Sequence, residues 1–92
     1  MDIDVQYDNL LLKLKEDFNW PQLYMFKFII ALENDAAKST LLLLFSGKAN
    51  IQHKSSSGGK YASYTITEKM ISAESVIEIY KKVASIPGVM AL

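Results

Sequence analysis

Lys54-Ser55-Ser56-Ser57-Gly58-Gly59-Lys60-Tyr61 decides the fold, because it sets a turn between two strand-like runs. Serine and glycine in that density supply turn geometry and too little apolar surface for a core. Upstream, Ala49 to Ser55 reads as a strand, less apolar and therefore an edge. Downstream, Lys60 to Thr67 alternates Ala62, Tyr64 and Ile66 against Tyr61, Ser63, Thr65 and Thr67. That period of two is the signature of a half-buried strand. The run from Lys54 to Lys60 therefore closes a hairpin, and its length predicts a mobile tip.

Working outward, Tyr24 to Leu32 is the clearest strand, with Phe26, Phe28, Ile30 and Leu32 on one face and Met25, Lys27, Ile29 and Ala31 on the other. Asn34 or Asp35 can cap a following helix by accepting from a free backbone N–H. Ala37, Leu41, Leu44 and Phe45 supply its inner stripe, and Gly47 is its expected left-handed stop. On the far side of the hairpin, Ser72 caps a helix whose Val76, Ile79, Tyr80 and Val83 fall at i, i+3, i+4 and i+7. Ile86-Pro87-Gly88 ends it, and Val89 to Leu92 predicts a short last strand. Before all of this, Tyr7, Leu10, Leu11, Leu14 and Phe18 recur at helical spacing, up to a stop at Trp20-Pro21.

The order strand, helix, strand, turn, strand, helix, strand is a split βαβ plan. It predicts an α+β fold: a ferredoxin-like βαββαβ sandwich, two helices covering one face of a four-stranded antiparallel sheet, with an extra N-terminal helix. Residues 1–21 form that helix and its linker, and residues 22–92 form the sandwich.

Composition narrows the function class. Ninety-two residues, half of them hydrophobic and 22% charged, make one globular domain. Ten basic and ten acidic residues cancel, which argues against a nucleic-acid partner or a membrane-coating role. Cysteine is absent, which excludes disulfides and thiolate chemistry and fits a reducing cytosol. The opening Met1-Asp2-Ile3-Asp4 is acidic where a secretory signal would be basic, and the apolar run Leu41 to Phe45 is far short of the roughly 20 residues of a membrane span. A cytoplasmic location is the expectation.

From Tyr24 to Leu92 the chain resembles the YbeD-like family of small bacterial proteins of unknown function. The likeness rests on the turn Lys54 to Tyr61, on Ser63-Tyr64-Thr65-Ile66-Thr67, on Ser75-Val76-Ile77-Glu78-Ile79-Tyr80 and on Ile86-Pro87-Gly88-Val89-Met90. The resemblance implies an ACT-like, ferredoxin-like fold and a regulatory role that has been linked to lipoate. ACT domains admit an amino acid beside a glycine-bearing turn after the first strand. The turn at that place here is Glu33-Asn34-Asp35, without glycine.

Candidate chemistry is sparse. His53 is the sole histidine, with Gln52 and Lys54 for neighbours, so neither a base with its partner nor a metal ligand set is visible in the sequence. Gly58-Gly59-Lys60 is followed by Tyr61 and a strand, where a phosphate-binding loop needs a helix and a Ser or Thr. Lys48, His53, Lys54 and Lys60 lie in a stretch without acids. Ser55 and Ser56 add hydroxyl donors, so an anion or an acidic partner could be gripped there. The plain alternative is a solvated hairpin.

The second candidate is the outer sheet face, where Met25, Lys27, Ile29, Tyr61, Ser63, Thr65 and Thr67 would lie together. It could seat a partner or a second copy, or the N-terminal helix could fold back over part of it. Asp2, Asp4, Asp8, Glu16 and Asp17 make the N-terminus acidic without selecting a catalytic pair.

These readings converge on a non-enzymatic, cytoplasmic regulatory or adaptor domain, binding a protein partner or a second copy through its sheet face and hairpin tip. It would need no cofactor and no metal, nucleic acid or membrane. The alternative is an ACT-like sensor of an acidic metabolite.

Overall fold

A computed structural model describes residues 3–56 and 58–92, with side chains from Gln6 onward. Met1, Asp2 and Ser57, and the side chain of Asp4, lie outside the described residues, and with them part of the expected acidic terminus and the middle of the hairpin turn. The elements run α1 (Ile3–Asp17), β1 (Gln22–Ala31), α2 (Asp35–Leu42), β2 (Asn50–Ser55), β3 (Tyr61–Met70), α3 (Ala73–Ala84) and β4 (Val89–Ala91). The strands form one antiparallel sheet in the order β2-β3-β1-β4.

Pairing of β1 with β3 forms the centre, from Gln22 opposite Met70 to Ala31 opposite Tyr61. Side chains alternate faces along a strand, so this register sends Phe26, Phe28 and Ile30 to the same side as Ala62, Tyr64, Ile66 and Met70. All seven are buried. The helices close over that side. α2 contributes Ala37 and Leu41, followed by Phe45; α3 contributes Ala73, Val76, Ile77, Ile79 and Val83. Phe26 is central: its ring lies 4.8 Å from Tyr24, 5.3 Å from Phe45 and 5.4 Å from Tyr80, each near edge-to-face. That geometry suits the ring quadrupoles.

The caps follow the sequence closely. Asn34 Oδ1 accepts from the Ala37 amide at the start of α2. Ser72 and Ser75 exchange side-chain and backbone bonds at the start of α3, a reciprocal capping box.

Two expectations at element ends are corrected. The alternation of β1 puts Leu32 on the inner face, but it is 41% exposed, because β1 ends at Ala31 and the chain turns immediately, with Asn34 N donating to Ala31 O. Gly47 does not provide a left-handed stop; its φ is not positive. α2 instead tightens at Leu43, Leu44 N bonds to Leu41 O and Phe45 N to Leu42 O, and the turn drops Phe45 into the core. The Ser46 amide that follows donates to Glu68 Oε1 at 2.6 Å.

The left-handed glycine that the fold does use before β4 is Gly88, at φ +89°. A Cβ there would collide with Asn34 Nδ2, so Gly88 and the α2 cap share one space. We expect Gly88→Ala to cost about 2–3 kcal/mol, from the left-handed penalty plus a disturbed cap. Gly47→Ala, with open space around it, should stay within about 0.5 kcal/mol; urea melts of the pair measure both.

α1 joins the helix layer and leaves the outer sheet face uncovered. It packs along α3; Leu14 is only 2% exposed, and Tyr7, Leu10 and Leu11 rest against the core. Trp20 Nε1 donates to Leu14 O at 3.2 Å, which ties the linker to the last turns of the helix. Lys15 and Glu74 form an exposed ion pair at 3.1 Å. That bond from Lys15, with a smaller contribution from its own backbone amide, holds the Glu74 carboxyl below its ordinary range. Such surface pairs add little to stability; the apolar seam is what anchors α1. Leu14→Ala should therefore destabilise by about 2–5 kcal/mol. Leu12→Ala, at a position 58% exposed, should change stability by less than about 0.5 kcal/mol. Thermal unfolding of the two variants checks the contrast.

Candidate functional site

Register also determines what the sheet presents outward. In β1 the outward residues are Leu23, Met25, Lys27, Ile29 and Ala31, and in β3 they are Tyr61, Ser63, Thr65, Thr67 and Lys69. β2 adds Asn50, Gln52 and Lys54, and β4 adds Met90. Two rows cross the face: Met90, Ile29, Ser63 and Lys54, and beside it Lys27, Thr65 and Gln52. Met25, Tyr61 and Met90 are each more than half exposed.

At the hairpin end the first row runs into a shallow hollow of about 350 Å³, lined by Ile29, Lys54, Ser55, Ser56, Tyr61, Ala62 and Ser63. Residues read from the sequence as two separate candidates, a hairpin set and a sheet-face set, thus meet in one concavity. The hairpin braces its own wall. Ser56 N donates to Tyr61 O at 2.8 Å, Tyr61 N donates to Ser56 Oγ at 3.2 Å, and Gly59 N donates to Ser56 O at 3.0 Å. Gly59 takes φ +69°, a conformation that suits glycine. Ser63 Oγ donates to Lys54 O at 3.4 Å. The tip is thus cross-bonded on both sides of Ser57.

The basic cluster read from the sequence does not assemble. Lys48 lies before β2, in a separate hollow with Leu23, Ser46, Asn50, Thr67, Glu68 and Lys69. It sits in the turn before β2, and the strand from Asn50 to Lys54 alone spans about 13 Å. His53 stands on β2 but points to the opposite face from Lys54, with its ring 5.8 Å from that of Tyr64. Lys60 lies in the bend just before β3, and its carbonyl accepts from the Leu32 amide at 3.0 Å. The alternation of β2 separates His53 from Lys54, and its length separates Lys48 from both. Of the basic set, Lys54 alone lines the hollow.

Elsewhere the described residues offer little reactive chemistry. No group of His, Cys, Asp and Glu among them could hold a metal ion. Tyr80 shares a 3.1 Å hydrogen bond with Tyr24, and burial first, then that bond, pushes its phenol well above the ordinary value. A phenol so held stays protonated and serves the packing of α3 on β1. No described helix is long and apolar enough to cross a membrane.

Sequence reasoning missed Leu23, Asn50, Gln52, Lys69 and Met90 as members of the outer face. The β3 alternation continues past Thr67 to Lys69, so that residue was within reach of the pattern. Met90 was not, because a strand of three residues carries too short a pattern to assign faces. Lys54 and Lys60 are both exposed and form no ion pair among the described residues. The double variant Lys54→Glu/Lys60→Glu should therefore keep its stability within about 0.5 kcal/mol of the parent in urea, which makes it a clean probe of binding.

Comparison with the curated proteins gives no match, and comparison with the solved structures gives none. Residues 15–92 match the family described as "Protein of unknown function (DUF493)". The matched region takes in all four strands, α2, α3 and the end of α1. The chain belongs to this DUF493, or YbeD-like, family.

Proposed function

We propose that the chain is a non-enzymatic binding domain, regulatory or adaptor in role, that docks a protein partner through its outer sheet face and the adjoining hairpin wall. The strand order β2-β3-β1-β4 with its crossing helices supports a ferredoxin-like, ACT-like reading of this α+β fold. That architecture hosts many roles, so the argument rests on the site. The observation that carries it is the outward row Met90–Ile29–Ser63–Lys54 leading into the hollow. Apolar groups exposed side by side on a rigid sheet suit protein contact. The hydroxyls of Ser63, Thr65 and Thr67 add directional bonds among them.

A photo-crosslinking residue placed at Thr65, on the face, and another at Lys81, on α3, test this in cells. The proposal expects a discrete protein adduct from position 65 and none of that mass from position 81. No adduct at position 65, or the same adduct at both, overturns it.

A second reading has one observation in its favour. The volume of the hollow, about 350 Å³, is within the range of small-molecule sites, and Lys54 at its wall would suit a carboxylate or phosphate. A sensor of an acidic metabolite would gain about 2.7 kcal/mol of stability from ligand at 100 times its dissociation constant. A thermal-shift screen of carboxylate and phosphate metabolites, lipoate and amino acids included, separates the readings. Dose-dependent stabilisation abolished by Lys54→Glu/Lys60→Glu would put the sensor first; a flat screen leaves the protein partner ahead.

A further inference from the structure

The charges of this chain are balanced in number, and the helix side carries both signs, but the outer sheet face carries only one. The outward positions of the four strands hold three lysines, Lys27, Lys54 and Lys69, and no aspartate or glutamate. The acids fall elsewhere. Asp8, Glu16 and Asp17 are on α1, Glu74 and Glu78 on α3, Asp35 on α2, and Glu33 in the turn after β1. Glu68, on β3, points to the inward side and accepts from the Ser46 amide. A chain of zero formal charge thus presents one face that is cationic and partly apolar.

We infer that this face is built for an acidic protein partner, one whose docking surface sets carboxylates around an apolar ridge. This rests on the reading of the outer face as a docking surface, and it names the chemistry of what docks. Lys27 and Lys54 flank Ile29 diagonally, roughly 12 Å apart by strand spacing and rise. Met90 lies across the same isoleucine from Ser63 and Lys54, and Met25 lies beyond Lys27 along β1. An apolar side chain seated on Ile29 and Met90 would carry flanking carboxylates toward the two ammonium groups.

Symmetry, charge and ring content set the other occupants aside. A second copy docked face to face about a two-fold axis would bring lysines against lysines. A second copy docked through its α1 and α3 side, where lysines accompany the acids, would make a head-to-tail contact, which need not close. Single-stranded nucleic acid would meet the three lysines but only one aromatic ring, Tyr61, among the outward residues. A stacking groove sets several rings in succession.

The test is an NMR titration of the full ¹⁵N-labelled chain with an amphipathic peptide of glutamate, with leucine at i, i+3, i+4 and i+7. Its lysine counterpart and a short oligothymidylate serve as comparisons. The glutamate peptide should shift the amides of Lys27, Ile29, Ser63 and Thr65 saturably, and leave α3 unmoved. Its affinity should fall about tenfold or more between roughly 50 and 300 mM salt. Lys27→Glu/Lys54→Glu should abolish the shifts, and the neutral Lys27→Gln/Lys54→Gln, free of any folding burden from new charge, should weaken them. Lys81→Glu/Lys82→Glu, the same charge change on α3, should leave them intact.

Tighter binding of the oligothymidylate, equal binding of the lysine peptide, concentration-dependent self-association through the same amides, or no shift at all would each overturn the inference. A crosslinked protein adduct at position 65 together with a silent glutamate peptide would retain the docking surface and discard its acidic partner.

Discussion

Gln22–Ala31 pairs with Tyr61–Met70 without interruption, and the rest of the molecule depends on that register. A slip of one residue exchanges the two faces of a strand. In β1 it would expose Phe26, Phe28 and Ile30 and turn Lys27 into the core. Burying an ammonium without a partner costs far more than any gain at the surface. Each of those large apolar side chains is worth about 1.5–3 kcal/mol when buried. The alternation of β1 therefore holds the core together and specifies the outer face in the same stroke. Lys27 is at once a surface group and a register pin.

The same constraint accounts for how a sheet can leave one side uncovered. Lysine on a sheet face can lay its methylenes along neighbouring apolar groups and keep its ammonium in water. On the edge strand β2, the charge of Lys54 also guards against casual pairing with another chain. Lys27, Lys54 and Lys69 thus have a structural reason to stand where they do. What protection alone does not require is that no acid shares the face, since glutamate would solubilise as well and mixed signs would be ordinary. The segregation, more than the presence of lysine, is the feature that points to a partner.

Much of the fold was legible because it rests on local signals. Asn34 and Ser72 cap the helices that they precede, and the β3 alternation matches its burial residue by residue. The misreadings all have tertiary causes. Gly47 looked like a helix stop, but the need to seat Phe45 against Phe26 and Phe28 ended α2 sooner and by another route. Ile77 escaped the α3 stripe because its burial depends on a second neighbour, α1, and nothing local in α3 announces that contact. Leu32 continued the β1 alternation in sequence although the strand had already turned. The members of the candidate site were largely legible: Ile29, Lys54, Ser55, Ser56, Tyr61 and Ser63 were recognised, but their convergence needed the β2–β3 and β1–β3 registers together. His53 is adjacent in sequence to the true wall and is removed from it by the pleat, while Lys48, six residues from Lys54, is removed by the length of β2.

The position of α1 bears on function in a way that its sequence did not settle. An amphipathic helix joined to a sheet with one open side could have closed the sandwich, and a closed sandwich would have no docking face. Tyr7 OH, 3.5 Å from Tyr80 O, and the Trp20 bond to Leu14 O instead tether it to the helix layer. Phe18 and Trp20 extend the aromatic cluster around Tyr24 as the chain enters β1. These contacts commit the apolar stripe of α1 to α3, where it covers Ile77, and so the helix cannot also serve the sheet. The apolar groups left on the outer face, Met25, Ile29 and Met90, therefore have no cover within the described chain. A hydrophobic sheet face that the molecule could have covered with its own helix, but leaves to three lysines and water, is better suited to a surface in intermittent use than to a core left unfinished.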